Sequence, residues 1–390
     1  MLAALRTSLT LAVVLAGLAA CEPGKGDSDS DGDTDGPEAW VWQLPEGFPE
    51  PYVPADNPMS AAKVELGRHL FYDTRLSANE TMSCGGCHDQ ALGFADGKAT
   101  PEGSTGDQVP RNAMSLANVA YFPTYTWANP NLELLEQQAR VPLFGEHPVE
   151  LGATGHEEEI LGRLRADPDY VDRFAAAFPD DDAPITFDNI VYALASFERT
   201  MVSGDSPYDR YLYGRDDAAI SESAKRGFAL FFSERLECYH CHAGLNLAAA
   251  FFAVESTQRE LTFFNNGLYN VGGDGSYPVP NVGLYEFTGM DSDMGRFRAP
   301  SLRNIAVTGP YMHDGSVETL EEVIDFYAAG GREITEGPYA GDGRDNPHKD
   351  PLVRGFTLTE GERADLLAFL ESFTDEAFLT DPSLSDPFAK

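Results

Sequence analysis

Two short segments of the chain combine the residue types and the spacing that covalent haem attachment requires. The first is Cys84-Gly85-Gly86-Cys87-His88 and the second is Cys238-Tyr239-His240-Cys241-His242. In each, two thiols three positions apart can each add to one haem vinyl group, and the adjoining histidine can bind the iron. The repeated pattern therefore predicts two covalently bound c-type haems.

The cysteine count favours this interpretation over its alternatives. A single such pentapeptide would leave chance, a zinc site or a redox site open, whereas a second copy disfavours all three. The chain has five cysteines, and four of them lie in the two motifs. The fifth is Cys21, so no thiol remains for a disulfide framework.

Helices are expected around each motif. Residues 60–71 precede the first motif and carry apolar residues at helical spacing. Further helices are predicted over residues 132–138, 156–178, 188–201, 221–232 and 319–327, and after a capping box formed by Thr359 and Glu362. Helix, haem motif, loops and helix thus recur in both halves. We predict a mostly α protein in which two cytochrome-c-like haem domains pack with their haems near the interface.

The N-terminus is interpreted as an export signal. Residues 1–21 contain an apolar run after Arg6, too short to span a bilayer, and Leu18-Ala19-Ala20-Cys21 resembles a bacterial lipoprotein signal in which the cysteine is lipidated. An ordinary secretory leader is the alternative. Both predict a protein on the periplasmic side of a bacterial membrane, which the first would attach through a lipid anchor at Cys21.

Residues 22–39 are interpreted as an acidic disordered tether, because they contain almost no apolar residue. An alternative is a calcium loop, since Asp27, Asp29, Asp31, Gly32 and Glu38 fit the spacing of such loops. No amphipathic helix flanks the segment, which favours the tether.

The rest of the chain is long enough for two domains, divided here at a linker over residues 203–207. We place an N-terminal haem domain at 40–205 and a C-terminal haem domain at 206–390. The formal net charge is −36, which argues against binding to nucleic acid or anionic lipid. Such a surface would suit a basic protein partner, although adaptation to solubility or salt explains it equally well.

Residues 56–374 resemble the di-haem cytochrome c peroxidase superfamily, and within it the MauG/MbnH-like branch. The resemblance lies in specific motifs, which are Gly67-Arg68-His69-Leu70-Phe71-Tyr72-Asp73, Pro110-Arg111-Asn112, Pro148-Val149-Glu150-Leu151-Gly152, Arg298-Ala299-Pro300-Ser301-Leu302-Arg303-Asn304 and Thr308-Gly309-Pro310-Tyr311-Met312-His313-Asp314-Gly315.

The resemblance implies a role for each haem. His88 would be the proximal ligand of the haem that meets hydrogen peroxide, and His242 would ligate the haem that stores or relays an electron. Trp127 matches the tryptophan between the two haems, although its residue type alone would favour a core aromatic. His313 would lie beside the second haem and bond a propionate or a water.

The resemblance also implies a peroxide pocket and a calcium ion. Glu150 matches the distal carboxylate, which would move a proton between the two peroxide oxygens, although its residue type alone fits a surface glutamate. Gln138 and Pro142 match its neighbours. A final set matches a calcium site between the domains, through the Asn112 side chain and the backbone carbonyls of Thr308 and Pro310.

Two positions indicate the branch. The loop of residues 89–110 contains neither His nor Met, so the first haem is expected to be open to peroxide without prior activation. At the second haem, Tyr327 occupies the position where other peroxidases of the family carry a methionine ligand. A phenolate stabilises higher iron oxidation states, whereas a thioether stabilises the reduced state. The alternative is that Tyr327 only packs in its helix and that Met312 or another methionine binds the iron.

The predicted function is therefore that of an exported enzyme that uses hydrogen peroxide to form a bis-ferryl state and oxidises a partner protein at long range, by tryptophan modification. One alternative is a peroxidase supplied with electrons by a small cytochrome or cupredoxin. Another is a non-catalytic di-haem electron carrier. The remaining histidines have no partner at ligand spacing and are interpreted as structural or exposed, namely His69, His147, His156, His240 and His348.

Overall fold

Helices make up most of the regular structure in the computed structural model, which describes residues 40–389. The α-helices are α1 Ala61–Tyr72, α2 Leu135–Gln138, α3 Arg140–Phe144, α4 Glu157–Arg165, α5 Pro168–Ala177, α6 Phe187–Glu198, α7 Pro207–Leu212, α8 Glu222–Phe231, α9 Tyr285–Thr288, α10 Leu320–Ala329, α11 Glu360–Glu371 and α12 Glu376–Leu379. Two short strands, β1 Glu333–Ile334 and β2 Gly341–Asp342, pair antiparallel. The predicted signal peptide, the tether, Cys21 and the alternative calcium loop lie outside the described residues.

In the first half, helix α1 crosses α6 at a glycine. Ser60 caps α1 by accepting a hydrogen bond from the Lys63 amide. At Gly67 an added Cβ would lie 2.0 Å from the carbonyl oxygen of Ala193, so only glycine permits this approach of the two backbones. The crossing brings the C-terminal end of α1 beside the first haem motif, where Gly85 packs against the ring of Tyr72.

The second half repeats the arrangement with α8 and α11. At Gly227 an added Cβ would lie 2.0 Å from the carbonyl oxygen of Asp365. Ser221 caps α8, and the predicted capping box of Thr359 and Glu362 opens α11. Each half therefore has a helix that leads into a haem motif and crosses a later helix at a glycine, which confirms the predicted fold class.

One predicted helix is wrong in its extent. Residues 156–178 were expected to be continuous, but they form α4 and α5 with a break between them. Asp167 accepts a hydrogen bond from the Asp169 amide and so caps α5, and Pro168 occupies its first position. Proline lacks the amide that a continuing helix would need, which explains the break.

The predicted linker is buried and tightly bonded. Ser203 is fully buried and its amide donates to the Asn118 side chain at 2.7 Å. Asp375 accepts hydrogen bonds from the Ser203 hydroxyl and from the amides of Gly204 and Asp205. The Asn304 side chain joins this network through Ser203 and Asp375. Residues from both halves thus hold the connection in one conformation.

Among residues 40–389, no helix is both long enough and apolar enough to cross a membrane. The first half has a core around α1 and α6, and the second half has one around α8 and α11. A third cluster contains Trp127, Met114, Met312 and Tyr327 and lies beside the second haem motif.

Candidate functional site

The first haem motif forms a tight turn with its histidine turned inward. A 3-10 helix spans Cys84–Gly86, and the His88 amide bonds to the Cys84 carbonyl at 3.0 Å. The Nδ1 atom of His88 lies 2.7 Å from the carbonyl oxygen of Phe94. Because a carbonyl can only accept, Nδ1 carries the proton and Nε2 keeps the lone pair that an iron ligand needs. Burial also lowers the pKa of His88, which favours the neutral ring.

The second motif has the same local geometry. Its 3-10 helix spans Cys238–His240, and the Nδ1 atom of His242 lies 3.1 Å from the carbonyl oxygen of Leu247. Burial lowers the pKa of His242 to about 4. None of the four motif cysteines is joined in a disulfide. Both turns therefore offer two thiols and a neutral imidazole with its Nε2 available.

A large cavity surrounds the second motif, with an empty volume of about 1710 Å³ including its mouth. Cys238, Cys241 and His242 line it. Arg298 also lines it, and its Nη1 atom is buried without a hydrogen-bond partner among the described residues. Burial lowers the pKa of Arg298 to about 9, so an anionic partner would be stabilising. A haem, with its apolar ring and carboxylate-bearing propionates, fits this lining.

Tyr327 and Met312 both line this cavity, so the structure brings together the predicted ligand and its alternative. Burial raises the pKa of Tyr327 to about 12, and a hydrogen bond with the Asn266 side chain opposes that rise. The same Asn266 amide donates to the sulfur of Met312 at 3.4 Å. The Met312 sulfur is therefore already engaged by a neighbour.

Trp127 forms part of the wall of the same cavity. It is buried, and its Nε1 atom donates to the carbonyl oxygen of Asn112 at 2.8 Å. The Asn112 amide in turn donates to the carbonyl of His313 at 2.9 Å. Met114 lies in the Trp127 cluster, and its backbone also contacts His88. A short path of packed residues therefore runs from the first histidine to the wall of the second haem cavity.

His313 stacks on Phe297, with the ring centroids 3.8 Å apart. Burial lowers the pKa of His313 to about 4, and within the described chain its Nε2 atom has no hydrogen-bond partner. Because this nitrogen belongs to a residue that lines the cavity, it is available to a haem propionate or a water.

Glu150 lies beside the first motif. Its charge acts on the thiols of both Cys84 and Cys87, and burial raises its own pKa. At Gly103 an added Cβ would lie 1.8 Å from the carbonyl oxygen of Val149. A glycine at this position therefore allows the backbone just before Glu150 to pack directly against the loop that contains Gly103. Helix α2 ends at Gln138, and the carbonyl of Pro142 in the next helix accepts a hydrogen bond from the Leu151 amide.

The three residues predicted to hold calcium share one region. Asn112, Thr308 and Pro310 all line the cavity of the second motif. The Asn112 side-chain amide donates to the carbonyl of Lys98 at 2.8 Å, which leaves its carbonyl oxygen to act as a ligand. A side-chain amide oxygen and backbone carbonyls suit a hard cation, so the donor set fits calcium.

Several residues were missed or misjudged in the sequence. Glu198 at the end of α6 is buried, its Oε2 atom has no hydrogen-bond partner in the described part of the chain, and burial raises its pKa to about 8. The available signal was an acid directly after the mostly apolar run of residues 190–197. His240 is exposed, in agreement with its interpretation as structural or exposed, but a carboxylate oxygen of Glu234 and one of Glu237 lie within 4.8 Å of its ring nitrogen, which the sequence analysis did not anticipate. The signal in the sequence was the regular spacing of three residues between Glu234, Glu237 and His240.

The fold and the two motifs define a class of protein, a c-type cytochrome with two haems. A family model described as di-haem cytochrome c peroxidase matches residues 61–217. MauG, a methylamine utilization protein of Methylorubrum extorquens, is 34% identical, with 88% of this chain and 86% of the relative covered. The cytochrome-c peroxidase IdrP1 of Denitromonas iodatirespirans is 37% identical, with 85% and 87% covered.

A solved structure described as a MauG-like protein associated with microbial copper homeostasis is also similar. It is 52% identical, the TM-score is 0.88, and 90% of this chain and 100% of that chain are covered. The chain belongs to the di-haem cytochrome c peroxidase family, with MauG and MauG-like proteins among its relatives. It is a haem-dependent oxidoreductase of the peroxidase type that carries two c-type haems.

Proposed function

We propose that this enzyme uses hydrogen peroxide to oxidise a partner protein at long range, in the manner expected for a MauG-like protein, with tryptophan side chains as the target. The observation that carries the proposal is Tyr327, which lies in the cavity of the second motif with its hydroxyl near the Asn266 side chain. A tyrosine oxygen favours the retention of oxidising equivalents by the haem pair over reduction by a donor.

His88 would hold the first haem, whose iron would supply the reaction with peroxide. Glu150 would take a proton from the near oxygen of the peroxide and return it to the leaving oxygen. Burial raises the pKa of Glu150 towards neutral pH. A pKa closer to the working pH lets the same carboxyl accept a proton and release it again. Gln138 and Pro142 would shape the same pocket.

Trp127 would connect the two haems electronically. It lies in the wall of the second cavity, and its neighbour Met114 contacts His88, so the described contacts support a path between the two sites. Electrons taken from the partner protein could then reach either haem. The partner therefore need not enter the peroxide pocket, and it would bind elsewhere on a strongly acidic surface.

We also propose that one calcium ion stabilises the junction through Asn112, Thr308 and Pro310. Asn112 binds Trp127 through its backbone carbonyl, so the ion would fix the wall in which the tryptophan lies. The export signal and a lipid anchor at Cys21 complete the proposal and place the enzyme on the periplasmic side of a bacterial membrane. The net charge of −36 disfavours nucleic acid as a partner.

The second candidate function is reduction of peroxide with electrons from a small cytochrome or cupredoxin. Relatives named cytochrome-c peroxidase favour it, among them IdrP1. The two functions differ in the fate of the oxidised enzyme, which would persist in the first and be reduced by the donor in the second. A similarity to a protein linked with copper homeostasis favours a copper-associated partner within the first function.

The test is the optical and EPR spectrum of the oxidised holoprotein before and after one equivalent of hydrogen peroxide. We expect one high-spin and one low-spin ferric haem, and a long-lived oxidised state after peroxide. Tyr327→Phe should lose this state. Tyr311→Phe is the matched control, because Tyr311 lines the same cavity while its hydroxyl donates to the Ile305 carbonyl at 2.9 Å.

If Met312→Leu abolishes the state and Tyr327→Phe preserves it, the methionine is the ligand and the MauG-like proposal is wrong. Two low-spin haems indifferent to peroxide would refute both candidate functions.

A further inference from the structure

A small cluster of potential metal ligands lies at the turn between α8 and the second haem motif. One carboxylate oxygen each from Glu234 and Glu237 and one ring nitrogen of His240 lie within 4.8 Å of one another. His240 occupies a variable position of its motif, and its exposed side chain is not the haem-ligating His242. The cluster is therefore separate from the iron ligands, although it adjoins the haem cavity that Glu237 helps to line.

The state of Glu237 points independently to a cation. Its side chain is only 6% exposed, and its Oε2 atom is buried without a hydrogen-bond partner among residues 40–389. The Nε2 atom of His240 lies 2.8 Å from that oxygen, yet the two are not aligned as donor and acceptor. A buried carboxylate oxygen without a hydrogen bond is unfavourable, and a metal ion held jointly with the imidazole would satisfy it.

Neighbouring side chains hold the carboxylates in place. Arg354 pairs with Oε1 of Glu237, which leaves Oε2 facing His240. The Tyr239 hydroxyl donates to Oε1 of Glu234. Each carboxylate thus has one oxygen occupied by a protein donor and one available, as is common for supported metal ligands.

We propose that Glu234, Glu237 and His240 form a surface site for a divalent transition-metal ion of the Zn²⁺ or Cu²⁺ type. One imidazole nitrogen with two carboxylate oxygens suits these ions, and water would complete the coordination. Calcium fits less well, because it prefers oxygen ligands and one of these three donors is an imidazole nitrogen. Since the site overlaps the second haem motif, a bound dication would also raise the reduction potential of the second haem by stabilising its reduced form.

The test is zinc binding by the full-length holoprotein in buffer with excess calcium, which fills sites made only of oxygen ligands. After equilibrium dialysis at graded free Zn²⁺, zinc and iron are counted by mass spectrometry. We expect His240→Ala and Glu234→Gln to lose one zinc per two irons, with at least a tenfold weakening. Both residues are exposed, so haem content and folding should be unchanged.

His156→Ala is the matched control. His156 also lies beside a glutamate three positions away, with its Nδ1 atom 3.2 Å from Glu159 Oε2, but among residues 40–389 no second carboxylate joins this pair at ligand distance. The control should bind zinc as the wild type does. Equal zinc binding by wild type and His240→Ala would overturn the proposal, as would an unchanged potential of the second haem on zinc binding.

Discussion

The close contacts at the two helix crossings predict how much stability an alanine substitution would remove. Alanine at Gly67 would place a methyl group 2.0 Å from the Ala193 carbonyl oxygen and 2.8 Å from the Cβ of Phe197. Both atoms belong to the rigid part of α6, so α1 would have to move away. Overpacking of this kind costs typically about 1–3 kcal/mol. Alanine recovers only about 0.5–1 kcal/mol through its helix propensity. Because the contact is so close, we expect a net loss of about 2 kcal/mol.

Gly227→Ala should behave like Gly67→Ala, because its Cβ would lie 2.0 Å from the Asp365 carbonyl oxygen. Gly162→Ala is the matched control within α4, since no atom lies within 4 Å of its added Cβ. This control should gain about 0.5–1 kcal/mol from helix propensity alone.

The assay is thermal unfolding of the three holoproteins, followed by far-ultraviolet circular dichroism and by haem absorbance. Gly67→Ala should perturb the haem of His88 first and Gly227→Ala that of His242, because each crossing supports its own motif. If Gly67→Ala is as stable as Gly162→Ala, the helices are not held at the described distance and the account of the repeated core is wrong.

Three further predictions concern the site. Glu150→Gln should slow the reaction with peroxide by about 10²–10⁴-fold, measured by stopped-flow absorbance, whereas the exposed Glu146→Gln should not. In wild type the rate should fall with acidity at a higher pH than an ordinary carboxyl would give, because burial raises the pKa of Glu150; an identical profile in Glu150→Gln would contradict this. The pKa of Glu198 is about 8 when folded, above its ordinary value, so its share of stability should be lost as pH rises from about 4.5 to 8. Unfolding titrations should show this loss in wild type and not in Glu198→Gln. Trp127→Phe should keep both haems but slow oxidation of the partner protein; an unchanged rate would exclude the proposed path.

Much of the fold could be predicted from the chain because its signals are local. The capping box of Thr359 and Glu362 was predicted, and the structure confirms it. Ser60 and Ser221 cap α1 and α8 through hydrogen bonds that likewise span three residues. The error at residues 156–178 arose because apolar spacing continued across Asp167 and Pro168. There the missing proline amide and the aspartate cap outweighed the periodicity.

In the candidate site, too, some residues could be predicted from the sequence and others could not. Glu150, Trp127 and Tyr327 were proposed from motifs, and the structure places each beside a haem motif or in the wall of a haem cavity. Arg298 belonged to a recognised motif but had no assigned role until its Nη1 atom was found buried and unpaired among the described residues. Such a role depends on the groups that surround the side chain in the folded protein. Residue type and sequence spacing do not specify those groups.

By itself the sequence determined the chemistry of the two haems, since two CxxCH segments specify thiols and an imidazole within five residues. It also determined the repeated helix-motif-helix order. Only the tertiary structure decided which side chains from distant segments meet, as Tyr327 and Met312 do at Asn266, or Glu234, Glu237 and His240 after α8. The physical reason is that hydrogen bonds within a turn or cap are set locally, whereas burial and ligand geometry arise when separate helices pack together.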